Sequence, residues 1–188
     1  TLTCDMDIQN IYNSIAELSR EIVRECTARS VKISTAESCT GGMISGAVTS
    51  ISGSSAVIEL GVCSYSNRIK HEILHVPAEV LERFTEYSVE CAAEMAKGIM
   101  ELSGADYGVS TTGVAGPTGG SAEHPVGEVC IAVSGKYGCR SERFLFAQGS
   151  ADRELIRALA AEKALSMLLC EIKKSSGVNI NGKLHRQA

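Results

Sequence analysis

Apolar positions change their period several times along the chain. From Asp7 to Thr27 they recur every three to four residues, at Ile8, Ile11, Tyr12, Ile15, Leu18, Ile22 and Val23. That is the stripe of a helix with one buried face. Val31 to Ala36 shortens to a strand pattern, and Glu37 to Gly42 reads as a strand-to-helix turn. Met43, Ile44, Ala47 and Val48 then mark the apolar face of a second helix, closed by Gly53-Ser54-Ser55. Val57 to Tyr65 is mostly apolar, which suits a strand covered on both faces.

Asn67 is placed to cap a short helix through Leu74, and Pro77 starts another. Ser88 caps a longer helix whose inward stripe is Ala92, Met95, Ala96, Ile99 and Met100. Asp106 to Thr112 and Glu128 to Ser134 read as strands, separated by the glycine-rich run Gly113 to Gly120. Gly135-Lys136-Tyr137-Gly138 predicts a hairpin turn into a last strand, Arg140 to Phe146, with Phe144 and Phe146 on one face. Ser150 or Asp152 opens a final helix with Leu155, Leu159, Ala160, Lys163 and Met167 along one side. Helices alternating with strands, broken by one late hairpin, predict a three-layer α/β/α sandwich with a mixed, mostly parallel sheet. Residues 1–172 are expected to form one domain, and 173–188 a polar, frayed tail.

Composition narrows the function classes. The chain has 188 residues, is 44% hydrophobic and lacks tryptophan, so its core is built from aliphatic side chains and cysteine. Its formal net charge is −4, which offers no broad cationic face to a phosphate backbone and argues against direct nucleic-acid binding. No apolar run reaches the roughly 20 residues of a membrane span. No basic-then-apolar leader is evident, and a cytoplasmic location is expected. Eight cysteines occur without a CxxC pair and are expected to be reduced, most of them buried, with Cys39 the one whose reactivity matters most.

One pattern suggests a metal. His71-Glu72-Ile73-Leu74-His75 spells the HExxH of zinc peptidases. Pro77 follows closely, so the helix is short for that role, and a surface amphipathic turn is the competing reading. P-loop, GxGxxG and GxSxG patterns are absent, and Tyr65 to Lys70 is one residue too long for a YxxxK pair.

Ser38 presents a more promising chemistry. It lies where a strand gives way to a helix, and open α/β sheets bind ligands at the carboxyl ends of their strands. Free N–H groups and close backbone approach at Gly41 and Gly42 would suit an anion or an oxyanion there. Alternatively, Ser38 and Thr40 are simple helix caps. Tyr65 ends the next strand, with Asn67 and Lys70 just beyond it. If the two strands are neighbours, Lys70 reaches Ser38, and a partly desolvated lysine can activate a serine hydroxyl. Otherwise Lys70 is a solvated surface lysine. The Gly113 to Gly120 run is either a connection or an anion cradle.

Thr35-Ala36-Glu37-Ser38-Cys39-Thr40-Gly41-Gly42, Gly53-Ser54-Ser55 and Tyr65-Ser66-Asn67 with Lys70 closely resemble the CinA C-terminal domain family. The resemblance continues through Gly113-Val114-Ala115-Gly116-Pro117, Gly119-Gly120-Ser121 and Pro125-Val126-Gly127, from about Ile8 to Cys170. It implies an α/β/α sandwich assembled as a homo-oligomer, here in the stand-alone form. Enzymatic members are nicotinamide-nucleotide amidases that convert nicotinamide mononucleotide to nicotinate mononucleotide and ammonia without a cofactor or metal. By that resemblance Ser38 is the nucleophile, and Tyr65 and Lys70 activate it. Thr40, Gly41, Gly42, Asn67, Gly113, Ala115, Gly116, Gly119, Gly120 and Arg153 line the substrate pocket. The chain departs from the family at Thr118, at His124, and in the spread-out Gly149-Ser150-Ala151-Asp152-Arg153 block. A non-catalytic binding role linked to competence or DNA damage is the family's other implication.

Overall fold

The computed structural model describes the backbone of residues 2–147 and 152–174, and the side chains among these from Ile8 onward. Element order is α1 (Leu2–Arg29), β1 (Ile33–Glu37), α2 (Met43–Thr49), β2 (Ile58–Cys63), α3 (Asn67–Glu72), α4 (Ala78–Phe84), α5 (Val89–Ser103), β3 (Tyr107–Gly113), β4 (Glu128–Gly135), β5 (Gly138–Leu145) and α6 (Arg153–Lys174). The predicted tail boundary therefore shifts slightly, because Lys173 and Lys174 still belong to α6, and 175–188 lie outside the described residues.

The strands form one mixed sheet in the order β2-β1-β3-β4-β5. β1 runs parallel to both β2 and β3, while β4 is antiparallel to β3 and to β5. After β1 the chain steps outward to β2, then crosses back to lay β3 on the other side of β1. Strand order thus reverses around β1, and the crevice at the carboxyl ends of β1 and β3 is where such sheets take ligands.

One face of the sheet is covered by α1, α2 and α6. There Ile22, Val23, Ile44, Ile156, Leu165 and Leu168 pack onto Ile33, Val109 and Ile131. The other face is covered chiefly by α5, whose Met95 and Ile99 meet Ala36, Leu74 and Val76, and whose Ala92 and Ala96 meet Cys130 and Ala132. α5 approaches so closely that a Cβ on Gly98 would stand 1.9 Å from the Leu74 carbonyl oxygen. Among the described residues no helix is long and apolar enough to cross a membrane.

Three local expectations are corrected. Ser66, not Asn67, caps α3, its hydroxyl accepting the Ile69 N–H at 3.3 Å. β2 is not covered on both faces: it is the sheet's edge, with Glu59, Gly61 and Cys63 exposed. On α6 the buried stripe runs through Ile156, Ala160, Ala161, Ala164, Leu165 and Leu168, whereas Leu155, Leu159 and Lys163 are only half-buried. The helix is wedged between the sheet and α1, so two faces are buried and the stripe is wider than a one-sided pattern. Ser88 does cap α5, accepting the Cys91 N–H at 3.0 Å, and Phe144 and Phe146 stack at 5.5 Å.

Candidate active site

The turn after β1 is organised by a carboxylate. Glu37, only 1% exposed, accepts the N–H groups of Gly42 and Ile44 on Oε2, both at 3.0 Å, and that of Ser45 on Oε1 at 2.8 Å. Thr40 Oγ1 donates to Glu37 Oε2 at 2.7 Å and also pairs with Thr111 Oγ1 at 2.7 Å. These contacts satisfy the unpaired donors at the start of α2, a task that otherwise falls to an N-cap side chain. Gly42 stands at the cap position with φ +92 and makes no side-chain cap bond. Neither Ser38 nor Thr40 is a helix cap, so the Ser38 hydroxyl is not used in closing the turn onto α2.

That hydroxyl faces a lysine. Lys70 Nζ stands 3.2 Å from Ser38 Oγ and donates to the Ser64 carbonyl oxygen at 3.1 Å. α3 carries Lys70 inward under the ends of β1 and β2, where it is 1% exposed. The solvated reading of this residue is thereby excluded. Burial holds the ammonium below its ordinary value of 10.5, while Cys91, Glu86 and Cys39 act in the other direction. A lysine that loses its proton more readily, within reach of a serine hydroxyl, is an arrangement in which the amine could take the hydroxyl proton.

The pair opens into a cavity of about 170 Å³. Tyr65 and Asn67 reach it from the stretch leading into α3, Glu86 from the segment between α4 and α5 with Tyr87 beside it, and Arg153 from the start of α6. Gly113, Ala115, Gly116 and Gly119 form its loop wall. Arg153 is fixed from two directions, donating to the Gly116 carbonyl oxygen at 2.6 Å and to Tyr65 Oη at 2.9 Å. Tyr65 is 64% exposed, and its bond goes to Arg153 rather than to Ser38 or Lys70. Asn67 Nδ2 donates to Glu86 Oε2 at 3.3 Å. Burial works to raise the Glu86 carboxyl, but its own N–H, Asn67, Tyr87 and the charge of Lys70 together hold it below its ordinary value. The glycine-rich run is a shaped loop. Val114 N–H donates to the Glu128 carbonyl oxygen and Gly127 N–H to that of Val114, both at 2.8 Å, and Gly116 takes φ +71 before a cis bond to Pro117.

The CinA C-terminal domain model matches residues 15–172. This chain belongs to the CinA C-terminal domain family. It is 45% identical over 161 residues to a protein named nicotinamide-nucleotide amidohydrolase PncC from Enterobacter agglomerans, covering 85% of this chain and 96% of that protein. A CinA-like protein of Geotalea daltonii is 46% identical over 140 residues, 74% of this chain but 33% of its own length. A solved competence/damage-inducible protein from Agrobacterium tumefaciens superposes with TM-score 0.80 at 42% identity, covering 84% of this chain and 94% of that one. A second, from Klebsiella pneumoniae, gives TM-score 0.79 at 34% identity, covering 85% and 97%.

In this CinA C-terminal domain four expected pocket residues stand elsewhere. Thr40, Gly41, Gly42 and Gly120 do not line the cavity. The Thr40 hydroxyl and Gly42 N–H are committed to Glu37, and Gly41 N–H donates to the Ser38 carbonyl oxygen at 3.2 Å. A Cβ on Gly120 would meet Val126, which does not line the cavity either. Residues 149–151 of the spread-out block lie outside the described residues, but Asp152 accepts the Glu154 N–H at 3.0 Å and so starts α6 beside Arg153.

The HExxH reading fails on backbone geometry. α3 ends at Glu72, His75 lies beyond it with φ +56, and His71 Nδ1 pairs with the Val76 carbonyl oxygen at 2.8 Å. The two histidines are therefore not one turn apart on a helix. Cys39 lines the cavity, yet burial pushes its thiol up to about 12, far from a reactive thiolate.

Sequence reasoning missed Glu86, Tyr87 and Arg157, and did not see the role of Glu37. Arg157 donates from Nε to the Cys39 carbonyl oxygen at 3.1 Å and from Nη2 to that of Thr40 at 2.8 Å, tying α6 to the turn after β1. A glutamate between a buried strand and a glycine turn was a usable signal for Glu37. For Arg157, 118 residues from its partner, no local signal existed.

Proposed function

We propose that this chain hydrolyses the carboxamide of nicotinamide mononucleotide, giving nicotinate mononucleotide and ammonia, with Ser38 as nucleophile. The observation that carries this reading is the 3.2 Å approach of the buried Lys70 Nζ to Ser38 Oγ. Unprotonated Lys70 takes the hydroxyl proton as Oγ attacks the carboxamide carbon. The resulting lysine ammonium returns that proton to the departing nitrogen, which leaves as ammonia. Water then opens the acyl-enzyme, with Lys70 again accepting a proton. Cys39 lines the cavity, and among the described residues its N–H pairs with no other residue, only with its own side chain. It is the donor available to the developing oxyanion. Arg153, locked by Gly116 and Tyr65, receives the phosphate. Tyr65 in this scheme shapes the pocket and holds Arg153; it does not relay the proton.

Pure protein incubated with nicotinamide mononucleotide should release one ammonia per nicotinate mononucleotide formed, and Ser38→Ala should abolish release while remaining folded. A folded wild type that binds the nucleotide but releases no ammonia would favour the binding-protein role instead. Ser38→Ala with near wild-type turnover would discard the nucleophile.

A further inference from the structure

The cavity has an uneven charge pattern that general amide hydrolysis does not require. Of its charged side chains, Lys70 is buried beside Ser38 and works in its neutral form. Among the described residues that leaves one fixed cation, Arg153 at the start of α6, and one fixed anion, Glu86 in the segment between α4 and α5. The two arrive from opposite helical layers of the sandwich. Glu86 is held there on both its ends. Its carbonyl oxygen accepts the Thr112 hydroxyl at 2.6 Å, and its carboxylate accepts from Asn67 at 3.3 Å. Its charge is near enough to Lys70 for each to alter the other's proton affinity. Asn67, which holds that carboxylate, lies on the same short helix as Lys70, so Glu86 borders the cavity on the Lys70 side. Two tyrosines, Tyr65 and Tyr87, line the same space.

A carboxylate facing an anionic substrate is a liability unless the substrate brings a positive charge to it. Aromatic rings beside it also favour a cation. We propose that Glu86, with Tyr65 and Tyr87, selects the positively charged ring of a zwitterionic nucleotide, while Arg153 takes its phosphate. The inference rests on the amidase reading and narrows its substrate class. A ring bearing positive charge is bound well, and the same nucleotide with an uncharged ring is rejected.

The test uses Ser38→Ala, in which binding is separated from turnover. Two probes are titrated by calorimetry: nicotinamide mononucleotide and its reduced dihydro form, which keeps the phosphate, ribose and carboxamide but has a neutral ring. The charged ring should bind about tenfold more tightly. In Ser38→Ala/Glu86→Gln that preference should collapse towards one, chiefly through weaker binding of the charged form. Ser38→Ala/Glu86→Asp, which keeps the charge, should retain most of the preference and guards against a general loss of packing at this segment. Equal affinity for both rings in Ser38→Ala, a preference that survives Glu86→Gln, or no binding of either probe overturns the assignment. Ammonia release by the wild type is read separately, so a failed amidase assignment is distinguishable from a failed role for Glu86.

Discussion

Glu37 Oε1 accepts the N–H of Ser45 at 2.8 Å, eight residues on, and so closes the turn that carries Ser38. A buried carboxylate does here what a serine or threonine cap does elsewhere, and it leaves the serine hydroxyl to Lys70. Closing the turn and facing the buried lysine thus fall to two adjacent residues at one strand end.

Replacing Glu37 with alanine should therefore damage the fold more than replacing Ser38. It strips the partner from three buried or half-buried N–H groups and one of two partners from the Thr40 hydroxyl. Stranded buried donors cost about 1–3 kcal/mol each, so a loss of roughly 3 kcal/mol or more is expected. For a chain of this size that lowers the melting temperature by about 6–12 °C. Ser38→Ala should change it by less than about 1 kcal/mol. Equal melting points for the two variants would show that Glu37 does not organise the turn.

Lys70→Met should separate catalysis from stability. It keeps the volume of a buried side chain and removes an amine whose charge is disfavoured there. Turnover should fall about a thousandfold or more, while stability at neutral pH equals or exceeds that of the wild type. The sign with pH follows from the lowered proton affinity of Lys70. Between its lowered folded value and the ordinary 10.5 the unfolded chain binds more protons than the folded one. Wild-type stability should rise with pH across that window relative to Lys70→Met. Wild-type kcat/KM should also rise with pH as Lys70 loses its proton, along a limb below the ordinary lysine range. Denaturant midpoints and rates measured from pH 6 to pH 10 check both; a flat difference would remove Lys70 as the base.

Strong chelation should leave ammonia release unchanged, and His71→Ala should reduce it by less than about twofold. The basis is the early end of α3, which leaves His71 and His75 without a shared helical face. Activity lost on chelation and restored by zinc alone would reinstate the metal reading.

Thiol reactivity should follow burial. Cys63, Cys139 and Cys170 are exposed, whereas Cys26, Cys39 and Cys91 are buried with thiols pushed up to about 12. Brief alkylation of native protein near pH 8, followed by peptide mass spectrometry, should label Cys63, Cys139 and Cys170 before the buried three and leave activity intact. Early labelling of Cys39 with parallel loss of activity would contradict its burial in the nucleophile turn.

The sequence alone determined the order and type of the elements, because each strand and helix carries its own period, cap or turn. Ser88 before α5 and the glycine pair around the β4–β5 hairpin are local devices and are read locally. The clustered motif around Ser38 also marked a strand end that borders the cavity. Tertiary structure decided what those residues do. Lys70 looks like any lysine on a short helix until parallel pairing of β1 with β2 sets α3 beneath Ser38 and buries it. Tyr65 looked like a partner of Lys70, but the arrival of α6 gives its hydroxyl to Arg153, 88 residues away. Glu86 carried no motif at all, and its place in the cavity depends on how α5 docks against β3 and β4. Local signals follow from the chain's own geometry, whereas charge burial and site membership depend on which distant segments exclude water from a side chain.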